Sequence, residues 1–197
     1  MAILVDKVKK RQDIACACKE LLIKEGFSHI TISKITQTAG ISKGSFYDYF
    51  ENKEDLVFEV VSLMITRYNK RIQTLMREQT STKEKIKLLT AFFYQDEFKE
   101  LREIYVQFTA ISLVEKNEAI AAFQRKNHLF YKEWVEDIFK EGISKGEIKK
   151  QALMLIDGIF AAVKGFFISF RVMQEEAKLE SEINRFLDSI FTMIEEK

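Results

Sequence analysis

The 197-residue sequence contains no proline and only seven glycines. These two residues most often interrupt helices and shape tight turns. An all-β protein of this size needs many turn residues, so their scarcity argues against that class. The abundance of helix-forming residues instead predicts an all-helical chain. With 47% hydrophobic and 31% charged residues, the composition is that of a folded, soluble protein rather than a disordered one.

Cysteine is limited to Cys16 and Cys18. Side chains two residues apart on a helix point to nearly opposite faces, so the two thiols are poorly placed to act together. Cys18 continues an apolar stripe with Ile14 and Leu21, which predicts a core residue. Because no cluster of cysteine and histidine supplies further ligands, the sequence predicts no metal site, no redox pair and no cofactor.

One segment, residues 152–170, is long and apolar enough to resemble a membrane span. It carries Asp157 and Lys164, and each charge costs about 2.5–3.5 kcal/mol at the centre of a bilayer. A helix buried on most sides by other helices explains the segment better, so no membrane partner is expected. The apolar run Ala2–Val5 is too short for the core of a signal peptide. Together with the low cysteine content, this predicts a cytoplasmic protein.

Charge is distributed unevenly along the chain. Residues 1–50 carry 8 Lys and Arg against 5 Asp and Glu, whereas residues 51–197 carry 23 against 25. The basic N-terminal part is therefore the natural candidate for contact with a polyanion.

Glycines and capping residues divide the chain into about nine predicted helices. Five of them follow the first four, and the last two extend over about 150–173 and 179–194. The first predicted helix extends from Asp6 to Glu25, with Gly26 as its stop, and the second extends from Thr31 to Gly40. Ser42 caps a short third helix. Asn52 caps a long fourth helix that reaches about Arg77.

Residues 31–50 contain two short predicted helices joined at Gly40, which is the helix-turn-helix pattern. Polar and basic residues at the start of the second helix suit a DNA groove, because a helix N-terminus attracts phosphate. An ordinary helical hairpin with a solvated polar face is the alternative interpretation. The inward-facing set is Ile32, Ile35, Ala39, Ile41, Phe46 and Tyr49, and the exposed set is Thr36, Ser42, Lys43, Ser45 and Tyr47.

From Ile14 to Leu56 the chain resembles the N-terminal domain of the TetR family of regulators. The resemblance covers less than a quarter of the chain, but its matching residues are dense and correctly spaced. They are Ile14-Ala15, Leu21-Leu22, Gly26-Phe27, Thr31-Ile32, Ile35, the block from Ala39 to Tyr47, Tyr49-Phe50, Lys53-Glu54 and Leu56.

The resemblance implies a DNA-contacting role for each matching position. Ser42, Lys43, Gly44 and Ser45 open the recognition helix in the major groove, and Gly44 allows close backbone approach. The implied phosphate contacts are Thr31, Tyr47, Tyr49 and Lys53, with Lys53 at the start of the fourth helix.

Three residues depart from the family pattern. Thr36 stands where a small alanine is usual, so the two short helices are expected to pack slightly apart. Asp48 places an acid beside the implied phosphate contacts and is expected either to weaken them or to point away from DNA. Tyr49 replaces the commoner histidine and retains a hydrogen-bond donor.

We predict an all-α fold with a helix-turn-helix DNA-binding domain over 1–51 and a larger domain over 52–197. In this family the larger domain encloses an effector cavity, and its last two helices form a dimer interface. The candidate interface residues are Ala161, Gly165, Ile183, Phe186 and Ile190. The candidate pocket residues are Phe93, Tyr105, Phe108, Phe123, Asn127, Phe130, Trp134 and Phe167, with Asn127 either orienting an effector or serving as a core amide.

The predicted function is a repressor that binds a palindromic operator as a homodimer and is released by a small, mainly apolar or aromatic effector. One alternative is a DNA-binding protein of the same fold without an effector. The other is an all-helical enzyme. It has little support, because His29 and His128 are the only histidines and the sequence contains no zinc-type spacing, nucleophile elbow or phosphate loop.

Overall fold

A computed structural model describes residues 2–196, with side chains from Asp6 onward. This range contains ten α-helices and no β-strand, which confirms the predicted all-helical fold. Four short 3-10 helices occupy Ala91–Phe93, Asp96–Phe98, Lys150–Leu155 and Glu176–Lys178. The α-helices are α1 (Ala2–Ala17), α2 (Lys19–His29), α3 (Ile32–Ala39), α4 (Lys43–Tyr47), α5 (Lys53–Met76), α6 (Thr82–Thr90), α7 (Lys99–Val114), α8 (Glu118–Ser144), α9 (Ile156–Val172) and α10 (Leu179–Ile194).

The predicted first helix is two helices, because the chain leaves helical geometry at Cys18, where φ is −91° and ψ is 0°. Gly26 interrupts α2 as predicted, with a φ of +75°, although one further turn follows it. Cys18 is completely buried, and burial raises the pKa of its thiol to about 11. It is therefore a core residue, as predicted.

The chain forms two compact units. The first contains residues up to 69 and residues 100–124, and the second contains residues 70–99 and those from 125 onward. The first unit thus combines α1–α4 with most of α5, with α7 and with the start of α8. The predicted boundary after residue 51 concerns DNA-binding and effector-binding roles, which packing does not test, and it stays a prediction.

The core of the first unit lies beneath the two short helices. Ile35 from α3 and Phe46 from α4 are completely buried, as predicted. Phe50, which follows α4, is buried as well, and its ring stacks on that of Phe46 with 5.5 Å between centroids. Since aromatic side chains bury large apolar areas, these two rings hold α4 by its inner face.

In the second unit, α10 packs against α6 and α9. One stripe of α10 is buried, and its members, spaced by three and four residues, are Leu179, Ile183, Leu187, Phe191 and Ile194. In the same unit, the Glu147 carboxylate accepts hydrogen bonds from the backbone N–H and the hydroxyl of Thr82, both at 2.7 Å. This contact joins the start of α6 to the turn that follows α8.

The apolar segment Lys150–Val172 is the one stretch of the described chain with the length and composition of a membrane span. Only 22% of the most apolar part of this segment is buried inside the chain. The prediction that other helices of the same chain cover it on most sides is therefore wrong. One face of α9 is buried and carries Ile156, Ile159, Val163 and Phe167. The opposite face is exposed, and its residues are Gly158, Ala161, Gly165, Ile168 and Val172.

Arg11 on α1 joins three separate parts of the first unit. Its guanidinium forms ion pairs with Asp55 at 2.6 Å and with Glu59 at 3.1 Å, both on α5. It also donates a hydrogen bond to the backbone carbonyl of Tyr49, and it lies 4.4 Å from the centroid of the Phe50 ring. One cation therefore fixes α1 and α5 to the segment that follows α4.

The hydrogen bond from Arg11 lowers the pKa of the Asp55 carboxyl. The same carboxylate accepts from the backbone N–H of Glu51 at 3.1 Å, and Asn52 caps α5 through the N–H of Asp55 at 2.8 Å. The start of α5 is thus held by a cap and by the Arg11 ion pair together.

We expect Arg11→Met to lower the free energy of unfolding by roughly 1–3 kcal/mol at neutral pH, between the values for exposed and buried ion pairs. The depressed pKa of Asp55 contributes stability that is fully present above about pH 4 and is lost as pH falls through its folded pKa. Urea denaturation of the wild type and the variant should therefore converge in acid. Arg67→Met, at an exposed position on α5, is the control, and an equal loss there would contradict the role of Arg11.

Candidate nucleic-acid interface

Local interactions define both short helices of the helix-turn-helix. The Thr31 hydroxyl caps α3 by accepting from the backbone N–H of Lys34 at 3.3 Å, and the Ser42 hydroxyl caps α4 by accepting from that of Ser45 at 3.0 Å. Between the helices, Gly40 has a φ of +63°, a left-handed conformation that glycine adopts without strain. The predicted caps and turn are all present, so α3 and α4 have the expected arrangement.

The outer surface of α4 is small, polar and basic. Lys43 and Gly44 are exposed, and Tyr47 is 52% exposed although the neighbouring Phe46 is buried. A Cβ atom added to Gly44 would meet only the Ser42 hydroxyl, at an ordinary distance of 3.7 Å. The fold therefore does not require glycine at this position, and its small size is available for contact with something outside the subunit.

The remaining predicted DNA-contact residues are more constrained. The Thr36 hydroxyl donates to the backbone carbonyl of Ser33 at 3.0 Å, within its own helix, and Tyr49 is half-buried. The Lys53 ammonium lies 3.3 Å from the carbonyl of Ile30 and 3.4 Å from that of Phe27. Lys53 thus already has acceptors at the end of α2, and its contact with phosphate stays a prediction.

Sequence reasoning did not identify Arg11 as a residue that supports this surface. Its ion-pair partner Asp55 lies 44 residues away, so no local spacing pairs them. In the sequence, Arg11 is only the end of a short basic run beginning at Lys9. The one residue in the sequence that hints at this contact is Asp55, an acid in the first turn of α5 whose carboxylate can accept a further hydrogen bond.

The predicted pocket aromatics form separate clusters within the two units. In the first unit, the Phe108 and Phe123 rings are 5.9 Å apart and both contact Phe58. In the second unit, the Phe93 and Phe167 rings are 5.2 Å apart. Their assignment to an effector cavity stays a prediction.

The other pocket candidates differ in burial. Burial raises the pKa of the Tyr105 hydroxyl, whereas Asn127 and Trp134 are half-buried. Phe130 is 44% exposed, so the prediction that it faces inward is wrong. Its position on the apolar stripe of α8 did not reveal that this part of the stripe is left uncovered.

A cleft of about 300 Å³ lies in the second unit between α6, the 3-10 turn after it and α10. Its wall includes Lys87, Tyr94 and Asn184, and none of the predicted pocket residues contributes to it. This cleft is therefore distinct from the aromatic clusters.

The predicted dimer residues separate into two groups. Ala161 and Gly165 belong to the exposed face of α9, and Phe186 and Ile190 are partly exposed on α10. Ile183 has no exposed surface, because it belongs to the buried stripe of α10. It is therefore removed from the predicted interface.

The N-terminal part of the chain matches a known protein family. The family described as bacterial regulatory proteins, tetR family, matches residues 16–60. That range contains both short helices and every predicted DNA-contact residue.

Known proteins resemble most of the chain in sequence or in fold. The fatty acid metabolism regulator protein of Bacillus subtilis is 27% identical over 146 residues, which cover 73% of each chain. A TetR-family regulator from Cytophaga hutchinsonii superposes with a TM-score of 0.79 at 20% identity, covering 98% of both chains. FadR from Bacillus subtilis, solved in complex with stearoyl-CoA, has a TM-score of 0.65 at 22% identity and covers 91% of this chain and 96% of its own.

The helix-turn-helix motif, the ten-helix fold and these relatives agree with one another. Residues 16–60 match the tetR family of bacterial regulatory proteins, and the chain as a whole is similar in sequence and in fold to transcriptional regulators of this kind.

Proposed function

We propose that the protein is a repressor that binds a palindromic operator as a homodimer and is released by a small, mainly apolar or aromatic effector. The observation that carries the DNA-binding part is the surface of α4. An exposed lysine, two serines and a glycine that the fold does not require form its first turn. Such a turn can enter a major groove closely, while its N-terminus and Lys43 attract phosphate.

The residues of this surface have different roles in the proposal. Lys43 is exposed and supplies phosphate attraction, which sets affinity and salt sensitivity. Ser45 reaches a base edge, which sets sequence choice. Lys53 is a poor test of phosphate binding, because its removal also deletes contacts with the carbonyls of Phe27 and Ile30.

We expect Gly44→Ala to leave the unfolding free energy unchanged or raise it by up to about 1 kcal/mol, because a helical glycine is replaced where the added methyl group meets the Ser42 hydroxyl only at an ordinary distance. The same variant should weaken operator binding at least about tenfold, because the added methyl group blocks close approach. Fluorescence anisotropy with an operator selected from a random duplex pool, together with urea denaturation, measures both effects.

In the same assay, Lys43→Ala should weaken binding to all duplexes and flatten the salt dependence by about one unit per subunit. Lys140→Ala, at an exposed lysine of α8, is the matched control. If the selected duplex binds no better than a scrambled one and Gly44→Ala changes nothing, the DNA-reading role of α4 is refuted.

The exposed face of α9 supports the homodimer. Its residues recur at intervals of three and four, so they form one stripe, and Ile168 is 43% exposed. Small residues such as Ala161 and Gly165 permit close approach of another helix. A second copy of α9 and α10 would cover this exposed apolar surface.

We expect Ile168→Glu to convert the dimer into monomers without unfolding the subunit, because position 168 lies outside the subunit core. A charge at Ile183 would not serve, since that side chain is completely buried. Sedimentation velocity at micromolar concentration measures the association state, with Ser144→Glu on α8 as the control. A monomeric wild type, or a dimeric Ile168→Glu variant, would exclude this interface.

The effector part of the proposal rests on contacts of α7 within the first unit. The Gln107 side-chain oxygen accepts from the backbone N–H of Phe27 at 3.0 Å, immediately after Gly26. The next residue, Phe108, places its ring 5.5 Å from that of Phe27 and also contacts Phe123. Phe108, a predicted pocket residue on α7, is thus in direct contact with the end of α2.

An effector that displaces α7 would therefore act on the helix-turn-helix through Gln107 and Phe108. Such an effector must bind the DNA-free arrangement more tightly than the DNA-bound one. Among structurally similar proteins, FadR from Bacillus subtilis was solved with stearoyl-CoA, which carries a long apolar chain. That precedent is in keeping with an apolar effector here.

We expect a thermal-shift panel of aliphatic and aromatic compounds to yield at least one that raises the operator Kd of the wild type about tenfold or more. In Gln107→Met the compound should raise the operator Kd less, because the variant removes the hydrogen bond between α7 and the end of α2. The affinity of the compound for the DNA-free variant should stay within about threefold of its affinity for the wild type, because the pocket is not changed. Gln151→Met is the exposed control. A panel without any thermal shift would favour a regulator of the same fold that has no effector.

A further inference from the structure

One edge of α9 carries alternating aromatic and cationic side chains. Phe160, Lys164, Phe167 and Arg171 are spaced by four, three and four residues, so they follow one edge of the helix. The Lys164 ammonium lies 5.8 Å from the centroid of the Phe160 ring, and the Arg171 guanidinium lies 6.0 Å from that of Phe167. Phe167 also contacts Phe93, which continues the aromatic surface onto a second element.

Lys164 is half-buried without a nearby opposite charge. Its ammonium nitrogen lies 3.4 Å from Nδ1 of His128 on α8, and the His128 ring packs edge-on against Phe160 at 5.3 Å. Burial lowers the pKa of the Lys164 ammonium and also that of the His128 imidazole. Within the described part of the chain, no carboxylate lies at ion-pair distance from Lys164.

The neighbouring lysine provides a direct contrast. Lys132 also lies between α8 and α9, and its ammonium pairs with Asp157 at 2.7 Å. Both charges of that pair lie nearer to solvent, whereas the more deeply placed Lys164 has an imidazole and an aromatic ring instead. A partly desolvated ammonium without an anion is unfavourable, so the site is built to receive one.

We propose that Lys164 and His128 bind the carboxylate of an amphipathic effector whose apolar part lies along the adjacent aromatic side chains. This inference rests on the proposed function and adds the chemical class of the effector: an organic acid rather than a neutral apolar compound. The ammonium supplies up to three donors, and a compact carboxylate is a suitable acceptor for them. The half-buried ring of Phe160 offers apolar surface beside the cation, whereas Phe167 is buried and supports the site from within the core.

The test compares two acids with neutral analogues of the same shape. The probes are dodecanoate against 1-dodecanol and 4-phenylbutyrate against 4-phenyl-1-butanol. Binding to the full-length wild type is followed by calorimetry and by the fluorescence of Trp134, the only tryptophan, which lies on α8. We expect at least one acid to bind about tenfold or more tightly than its alcohol, because charge-assisted hydrogen bonds are the stronger ones.

Lys164→Met keeps the apolar stem and removes the charge. It should abolish the preference for the acid while leaving the affinity for the alcohol within about threefold, and Lys164→Arg should restore part of the preference. Lys140→Met is the control at an exposed lysine of α8. If Lys164→Met does not fold, as judged by thermal melting, His128→Phe supplies the second variant and should reduce the preference for the acid without removing Lys164.

Four results would overturn the proposal. Equal binding of acids and alcohols, or an acid preference that survives Lys164→Met, would show that the ammonium does not recognise the head group; effector-induced release could still hold in both cases. If Lys164→Met dissociates the dimer and leaves probe affinity unchanged, a carboxylate of the second subunit is the missing anion. If none of the four compounds binds, the head-group assignment fails, and only the wider panel decides whether an effector exists.

Discussion

The surface that would read DNA depends on the cation of Arg11. Helix α4 has only five residues, far fewer than a helix needs to be stable in isolation. Its inner face is held by the buried Phe46, and the chain just after it is held by the hydrogen bond from Arg11 to the Tyr49 carbonyl. Because the same guanidinium pairs with Asp55, the position of α4 is coupled to the start of α5.

The environment of each cation indicates what it does. Arg11 has two carboxylates, a carbonyl and a ring, so its role is internal support. Lys53 has two carbonyl acceptors at the end of α2 and is partly committed in the same way. Lys43 is exposed and available to phosphate, whereas Lys164 is half-buried without an anion at ion-pair distance. The exposure of Lys43 and the missing counter-charge of Lys164 therefore point to two different kinds of external ligand.

Local signals in the sequence were sufficient for the helix-turn-helix. Thr31, Gly40 and Ser42 act through residues no more than four positions away, so their caps and turn could be predicted and are confirmed. The break at Cys18 was not predicted, because the apolar stripe runs through it without interruption. Arg11 could not be assigned either, since its partners are brought near only by the tertiary fold.

Helical periodicity finds apolar faces but does not say what covers them. α9 has a buried face with Val163, an opposite exposed face with Ile168, and an edge with Lys164 between them. Sequence reasoning treated the helix as buried on most sides, although the second apolar face needs another molecule. Under the proposed function, the dimer contact and the effector head group share this one helix. An anion drawn to Lys164 would therefore act on the element that sets the dimer geometry, and with it the spacing of the two recognition helices on DNA.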